Sequence, residues 1–440
     1  MIQFHGYQQV RSARRPRPSG QRPDGEKGRS SGPAHLPCFD GLRAFAALTV
    51  IGVHTTFASG FTGRSGLGRY TSRLEIGVQV FFVISGFLLY RPFAAAHFGG
   101  RPAPGFRNFW TRRLKRIIPA YWLAFLVITY VLHADTVRHT WFAPLVYLGF
   151  AQIYLPHYAL SGITQAWSLC TEMTFYLMVP LWGAFIGRRR RTTDGQLRVE
   201  LVGLAGLVLV SLAFRIPVLS AHSQLASTMP QWLPAYLDQF ALGMLLAVLS
   251  TWLEAEQRRP AWLWHPLLPW ASWATAGLAF VAVSNIGLPW TPITASPVGP
   301  SLLRQTLYGL FAFCMVLPAV FGPQDRGLVR RLLRFRPLAL IGVVSYGIYL
   351  WHQAWMNLWF TWTGDRLFAV NLPALVGMVT ALALVSATAS YLLVERPILR
   401  RRRSAASLRS PVSGPPASAS PTGLQAASGG PSTAVLGTAT

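Results

Sequence analysis

Three ionisable side chains interrupt long apolar runs: His54 in residues 42–60, Glu172 in 165–186 and His352 in 337–360. At 1.5 Å rise per residue each run is long enough to cross a bilayer. A helix that served only as an anchor would not bear the cost of such a group. Counted from the predicted outer ends of their helices, all three lie roughly 9–12 Å below one membrane boundary. Two imidazoles and a carboxylate at one depth suit proton transfer. A base removes the proton of a hydroxyl while an acid fixes its tautomer. His54 is the candidate base, Glu172 the orienting acid, and His352 a second catalytic imidazole. The other reading makes each a satisfied packing group.

The opposite face gathers cations. Arg43 opens the first apolar run, eleven residues or roughly 16 Å before His54. Arg113 and Arg116 precede the third run and are spaced to share a helix face. Paired guanidiniums clamp phosphates. Together the three arginines form a candidate anion site, against the alternative of ordinary positive flanking. Other groups are less telling. Asp238 sits at an outer depth, and Arg215 is either its counter-ion or a cavity residue. Ser85-Gly86 at mid-membrane permits close helix contact, with a nucleophilic Ser85 the lesser reading. Glu395-Arg396-Pro397 reads as a helix stop with a snorkelling pair.

The elements that must position these groups are membrane helices. The chain has 440 residues, of which 52% are hydrophobic and only 12% charged; soluble domains average about 25% charged. The apolar residues fall in continuous runs, which excludes a strand barrel. The expected fold is all-α, a polytopic membrane helix bundle of about ten transmembrane helices. The predicted spans are 42–60, 76–95, 117–134, 165–186, 199–217, 233–251, 264–285, 302–321, 337–360 and 370–394. The short stretch 141–156 reads as interfacial or re-entrant.

The net charge of +26 could suggest nucleic acid, but the cations lie between apolar runs, so no nucleic-acid partner is expected. With the N-terminus inside, 33 of the 40 Lys and Arg residues fall inside and five outside. That is the positive-inside pattern. It places a multi-pass protein in the plasma membrane with both termini cytoplasmic. Cys38, Cys170 and Cys314 have no metal or redox spacing, and no metal is expected. Residues 1–37 read as a disordered basic tail, 38–398 as the membrane domain, and 399–440 as a second disordered tail.

In order and spacing, several motifs together resemble the acyltransferase 3 family of integral membrane acyltransferases. They are Asp40-Gly41-Leu42-Arg43 with His54 behind it; Gly77 to Phe87; Arg113-x-x-Arg116 running into Pro119-Ala120-Tyr121-Trp122; Trp167-Ser168-Leu169-x-x-Glu172-x-x-Phe175-Tyr176; Ser345 to His352; and Glu395-Arg396-Pro397. Ala44 and Gln79 depart from the usual Gly and Asp. The resemblance implies transfer of an acyl group, most often acetyl from acetyl-CoA, to a hydroxyl of a carbohydrate, cell-envelope glycan or secreted metabolite. It implies a catalytic His54 and donor use by Arg43, Arg113 and Arg116. The chain looks like the stand-alone type without an SGNH-type esterase domain. The rival class is a transporter of a lipid-linked glycan or small solute, which mid-membrane ionisable groups also suit. The absence of a visible inverted repeat counts against it.

Overall fold

The computed structural model describes residues 37–99, 102–135, 137, 140–159, 161–189, 191–220, 227–289 and 297–398. The two predicted tails lie outside these residues, save Pro37. Every regular element among the described residues is helical. The principal helices are α1 (Pro37–Ala58), α2 (Gly77–Gly99), α3 (Phe106–Leu126), α4 (Trp167–Ile186), α5 (Thr193–Ser220) and α6 (Leu237–Ala255). They continue with α7 (Leu268–Ser284), α8 (Val298–Val320), α9 (Arg336–Val343), α10 (Ser345–Thr363) and α11 (Leu372–Ser390).

Among the described residues, eight segments are long and apolar enough to cross a membrane. They contain α1 to α6, α8 and α11. Helix α7 is shorter, at 17 residues, and α10 carries His352, Gln353 and Asn357 among its aromatics. Leu181, Val202, Leu209, Leu278 and Val385 are at least 60% exposed, so the bundle presents an apolar surface outwards. In water such a surface would drive aggregation; in a bilayer it is solvated by lipid. The chain is a multi-pass helical membrane protein.

The close core pair is α2 and α6. A Cβ at Gly86 would collide with the Phe240 carbonyl, and one at Gly243 with the Val83 carbonyl. Small residues thus let two backbones touch, as Ser85-Gly86 suggests from sequence. Buried polar groups pin the neighbours. At one end, Tyr90 donates to Glu200 Oε2 at 2.7 Å, and His97 Nδ1 lies 2.5 Å from Glu200 Oε1, joining α2 to α5. At the other end Arg215 is the counter-ion of Asp238, with Nη2 2.6 Å from Oδ1 and Nη1 2.9 Å from Oδ2. It also donates to the Ala235 carbonyl, which satisfies the fork without opening it to a cavity.

Two expectations change. The span 337–360 is not one helix: it breaks at Val344 into α9 and α10. Gly342, just before the break, lies so close to the Asp40 carbonyl on α1 that a Cβ there would overlap it. Packing against α1 therefore sets the direction of α9 independently of α10. Helix α3 begins at Phe106, well before the predicted 117, so Arg113 and Arg116 lie inside it. It ends in a π turn, Val127–Val131. The stretch 141–156 holds only a six-residue helix, Ala143–Leu148, and a turn at Gln152–Tyr154, too short to span.

Candidate active site

Helices α1, α2, α3, α4 and α10 enclose a cavity of about 120 Å³. Arg43 from α1, Arg113 and Arg116 from α3, and Glu172 and Tyr176 from α4 line it, with Ser85 of α2. The three arginines that the sequence reading grouped do face one space. Their charges oppose one another, and Glu172 is the carboxylate set among them. Asp40 lies 3.5 Å from Arg43 one turn earlier on the same helix. Ser85 donates a hydrogen bond to Glu172 Oε1. The space is smaller than a pocket for a drug-sized molecule. It admits the slender part of a ligand whose bulk stays outside.

Glu395 is a group whose place the sequence reading missed. It is buried in the π turn Tyr391–Glu395 that ends α11, where its charge couples to Arg116 and to Tyr346. Tyr346 in turn donates to the Ile117 carbonyl at 3.0 Å. The Glu-Arg-Pro motif was the available signal, and it points at the cavity rim as well as at a helix stop.

Arg43 and His54 fall on one face of α1, because eleven residues complete three turns to within about 20°. Above the cavity His54 meets His352, with ring centroids 5.2 Å apart. His352 is 1% exposed. Its Nδ1 lies 2.8 Å from the Tyr349 carbonyl and 3.2 Å from that of Ile348. A carbonyl only accepts, so Nδ1 carries the proton and Nε2 holds a lone pair. That Nε2 is buried without a hydrogen-bond partner.

The structure separates Glu172 from the histidines. No hydrogen bond joins it to His54 among the described residues. Ser168 Oγ meets the Tyr349 hydroxyl at 2.8 Å, and Tyr349 is three residues inward of His352. Glu172 is a further turn along α4, so it lies roughly 10 Å deeper than His352. The equal depth expected from sequence holds for His54 and His352 and fails for Glu172. Between the two levels, Tyr349 also donates to the Gln165 carbonyl, and Gln165 Nε2 donates to the Tyr349 and Leu350 carbonyls at 3.1 and 2.9 Å. Ser168 and Tyr349 also line the arginine cavity, and the Tyr349 ring lies 6.1 Å from that of His352, so this polar layer sits between the two sites and touches both.

The far end of α10 is tied down by Asn357, whose amide donates to Asp135 Oδ1 at 2.9 Å and to the Ala134 carbonyl at 3.0 Å. Burial pushes the Asp135 carboxyl up to about 7, partly offset by the Asn357 bond. Among the described residues no cluster of His, Cys, Asp and Glu could hold a metal.

Comparison with known proteins gives these groups a family. YrhL of Bacillus subtilis, named as a candidate peptidoglycan O-acetyltransferase, is 28% identical over 338 residues, covering 72% of this chain and 48% of that protein. The O-acetyltransferase OatA of Staphylococcus aureus (strain NCTC 8325 / PS 47) is 23% identical over 335 residues, covering 73% and 50%. The acyltransferase MdmB of Streptomyces mycarofaciens is 27% identical over 403 residues, covering 86% and 95%. The chain thus spans about half the length of the Bacillus and Staphylococcus relatives. No solved structure matches it significantly. The acyltransferase-domain family pattern matches residues 36–393, the whole of the helical bundle, and the chain belongs to the acyltransferase 3 family.

Proposed function

We propose that this protein is a membrane O-acyltransferase. It moves an acyl group, acetyl in the simplest case, from cytoplasmic acyl-CoA to a hydroxyl of an extracytoplasmic carbohydrate, envelope glycan or secreted metabolite. The observation that carries this reading is the stacking of two sites on one face of α1. A cationic cavity lies at Arg43, and an imidazole pair lies roughly 16 Å further on at His54. Arg43, Arg113 and Arg116 hold the donor's phosphates, and the thioester arm enters the cavity towards the polar layer. The names of the relatives, which refer to O-acetyl or acyl transfer, support the same class.

In this scheme the acceptor oxygen attacks the thioester carbonyl as His54 takes the hydroxyl proton. The new C–O bond forms, the C–S bond breaks, and CoA leaves as a thiolate that is then protonated. His352, with its Nδ1 proton committed to backbone, offers Nε2 as the acceptor that orients the neighbouring imidazole or relays its proton. Glu172, set among the guanidiniums, balances their charge and holds Ser85. Both termini face the cytoplasm, on the positive-inside pattern.

The test is acyl transfer by the purified protein in detergent. Acetyl-CoA is supplied with a panel of glycans and glycosylated metabolites, and free thiol is followed together with the mass of the acceptor. Acceptor-dependent thiol release with an added acyl mass is the expected result. Movement of a glycan across a reconstituted membrane without thiol release would identify a transporter instead.

A further inference from the structure

Helix α8 carries a polar stripe that the transfer scheme leaves unused. Ser301, Arg304, Gln305 and Tyr308 recur at i, i+3, i+4 and i+7, so they share one face. That face turns inward: Ser301 and Tyr308 are buried, and Arg304 and Gln305 are half-buried. The Tyr308 hydroxyl donates to Glu75 Oε1 at 2.9 Å, and the Gln239 amide donates to the Gln305 carbonyl at 3.2 Å. The stripe therefore packs against the start of α2 and the start of α6. Arg73 completes the group, its guanidinium near enough to Tyr308 for their charges to interact.

Five side-chain atoms in this cluster are buried without a hydrogen-bond partner: Arg73 Nε, Arg304 Nε, Ser301 Oγ, Gln239 Oε1 and Gln305 Oε1. Arg73, Gln239 and Ser301 are each at least 97% buried. Unpaired polar groups in a membrane bundle are costly and mark function. The set is also mixed. The two guanidine N–H groups can only donate, the two amide oxygens can only accept, and the Ser301 hydroxyl does both. An anion would satisfy the arginines alone, and a cation the amides alone. Neighbouring hydroxyls, each a donor and an acceptor, satisfy all of them.

The cluster lies at the histidine end of the bundle. Leu74 packs at Gly52, in the turn of α1 just before His54. Tyr236, flanked by Glu75 and Arg304, has its ring 5.0 Å from that of Phe82, which lines the arginine cavity. The Phe82–Tyr236 ring pair thus links the cluster to the wall of the arginine cavity.

We infer that Arg73, Gln239, Ser301, Arg304 and Gln305 form the binding site for a polyhydroxylated acceptor, a pyranose carrying free hydroxyls. The inference rests on the transferase reading for its place in a reaction but not for the binding itself. The probe is chitotetraose, titrated calorimetrically into the full-length protein in detergent, with sulfate as the anionic control. Saturable binding is expected, weakened about tenfold or more by Gln305→Ala and by Arg304→Gln. Ser301→Ala, the mildest change, should weaken it less. Acetyl-CoA affinity and thermal stability should be unchanged in all three. No chitotetraose binding by the folded wild type, equal binding by the variants, or sulfate bound in its place would each overturn the site. Chitotetraose binding without thiol release from acetyl-CoA leaves the site standing and removes the transferase reading. Thiol release with an unaltered KM for chitotetraose in the variants removes the site alone.

Discussion

Ser85 on α2 donates a hydrogen bond to Glu172 on α4, in the cavity that Arg43, Arg113 and Arg116 also line. The carboxylate is thereby placed among three guanidiniums, where it offsets part of their charge. Glu172→Gln keeps the shape and removes that offset. At short range one charge is worth on the order of 1 kcal/mol or more, so CoA should bind at least about fivefold tighter. Turnover should nevertheless fall, because an overbound donor and product leave slowly. Calorimetric CoA affinity and steady-state transfer check the pair of effects. Weaker CoA binding in the variant would mean that Glu172 organises the arginines and does not merely balance them.

Arg113→Ala and Arg116→Ala should each weaken CoA about tenfold or more, since a hydrogen bond to a charged group is worth about 1.5–3 kcal/mol. Arg113→Lys should recover only part, because an ammonium lacks the planar fork. The measurement is donor affinity at two salt concentrations, with fold monitored by thermal unfolding. Unchanged affinity in the double Ala variant would leave the arginines as membrane flanking.

What sequence could show is uneven, and the reason is helix register. Apolar runs announce helices, so most of the spans and the grouping of Arg43, Arg113 and Arg116 around one space were legible. Register between helices is set by contacts such as Gly86 on Phe240 and Gly342 on Asp40, which no single run encodes. Hence Glu172 pairs with Ser85 and not with His54, and the ninth run breaks at Val344. The stripe Ser301, Arg304, Gln305 and Tyr308 was readable as a period of i, i+3, i+4 and i+7. It was masked by the strong apolar signal of the same helix.

Asp135 gives a pH signature. Its carboxyl is held at about 7 in the folded chain against an ordinary 3.8. Below about pH 4 both states are protonated, and its full contribution to stability is present. Between about pH 4 and 7 the unfolded chain ionises while the folded one does not, so stability falls with rising pH and levels off above about 7. Asp135→Asn, which can still accept from Asn357, should flatten that slope. Thermal unfolding at pH 5 and pH 8 checks it: the wild type should lose more on going to pH 8 than the variant. Equal slopes would show that Asp135 is ionised in the fold.

Topology follows from the charge split. A single cysteine at Gly195 should be protected from an impermeant maleimide in intact cells, and one at Asn285 should be labelled. The native cysteines Cys38, Cys170 and Cys314 are buried and provide little background. Labelling of both sites on the same side would remove one span from the count.

His54 carries the sharpest prediction. Its ring lies against that of His352, whose Nδ1 is committed to backbone carbonyls and whose Nε2 is unpartnered. In a pair of this kind one imidazole takes the substrate proton and the other orients it. His54→Ala should lower transfer about 10²–10⁴-fold, the usual cost of a lost general base. Donor affinity should be unchanged, since Arg43 lies roughly 16 Å away along α1. His54→Gln, which hydrogen-bonds but cannot take a proton, should be nearly as inactive. His352→Gln should cost less, because its amide nitrogen can still bond to the Tyr349 carbonyl while its oxygen faces His54. The pH–rate profile separates the roles. Loss of the acidic limb, which the ionisation of the base controls, in His54→Gln, with that limb merely shifted in His352→Gln, is the expected pattern. Near wild-type turnover by His54→Gln would return both histidines to packing and move the search for the base to the polar layer around Tyr349.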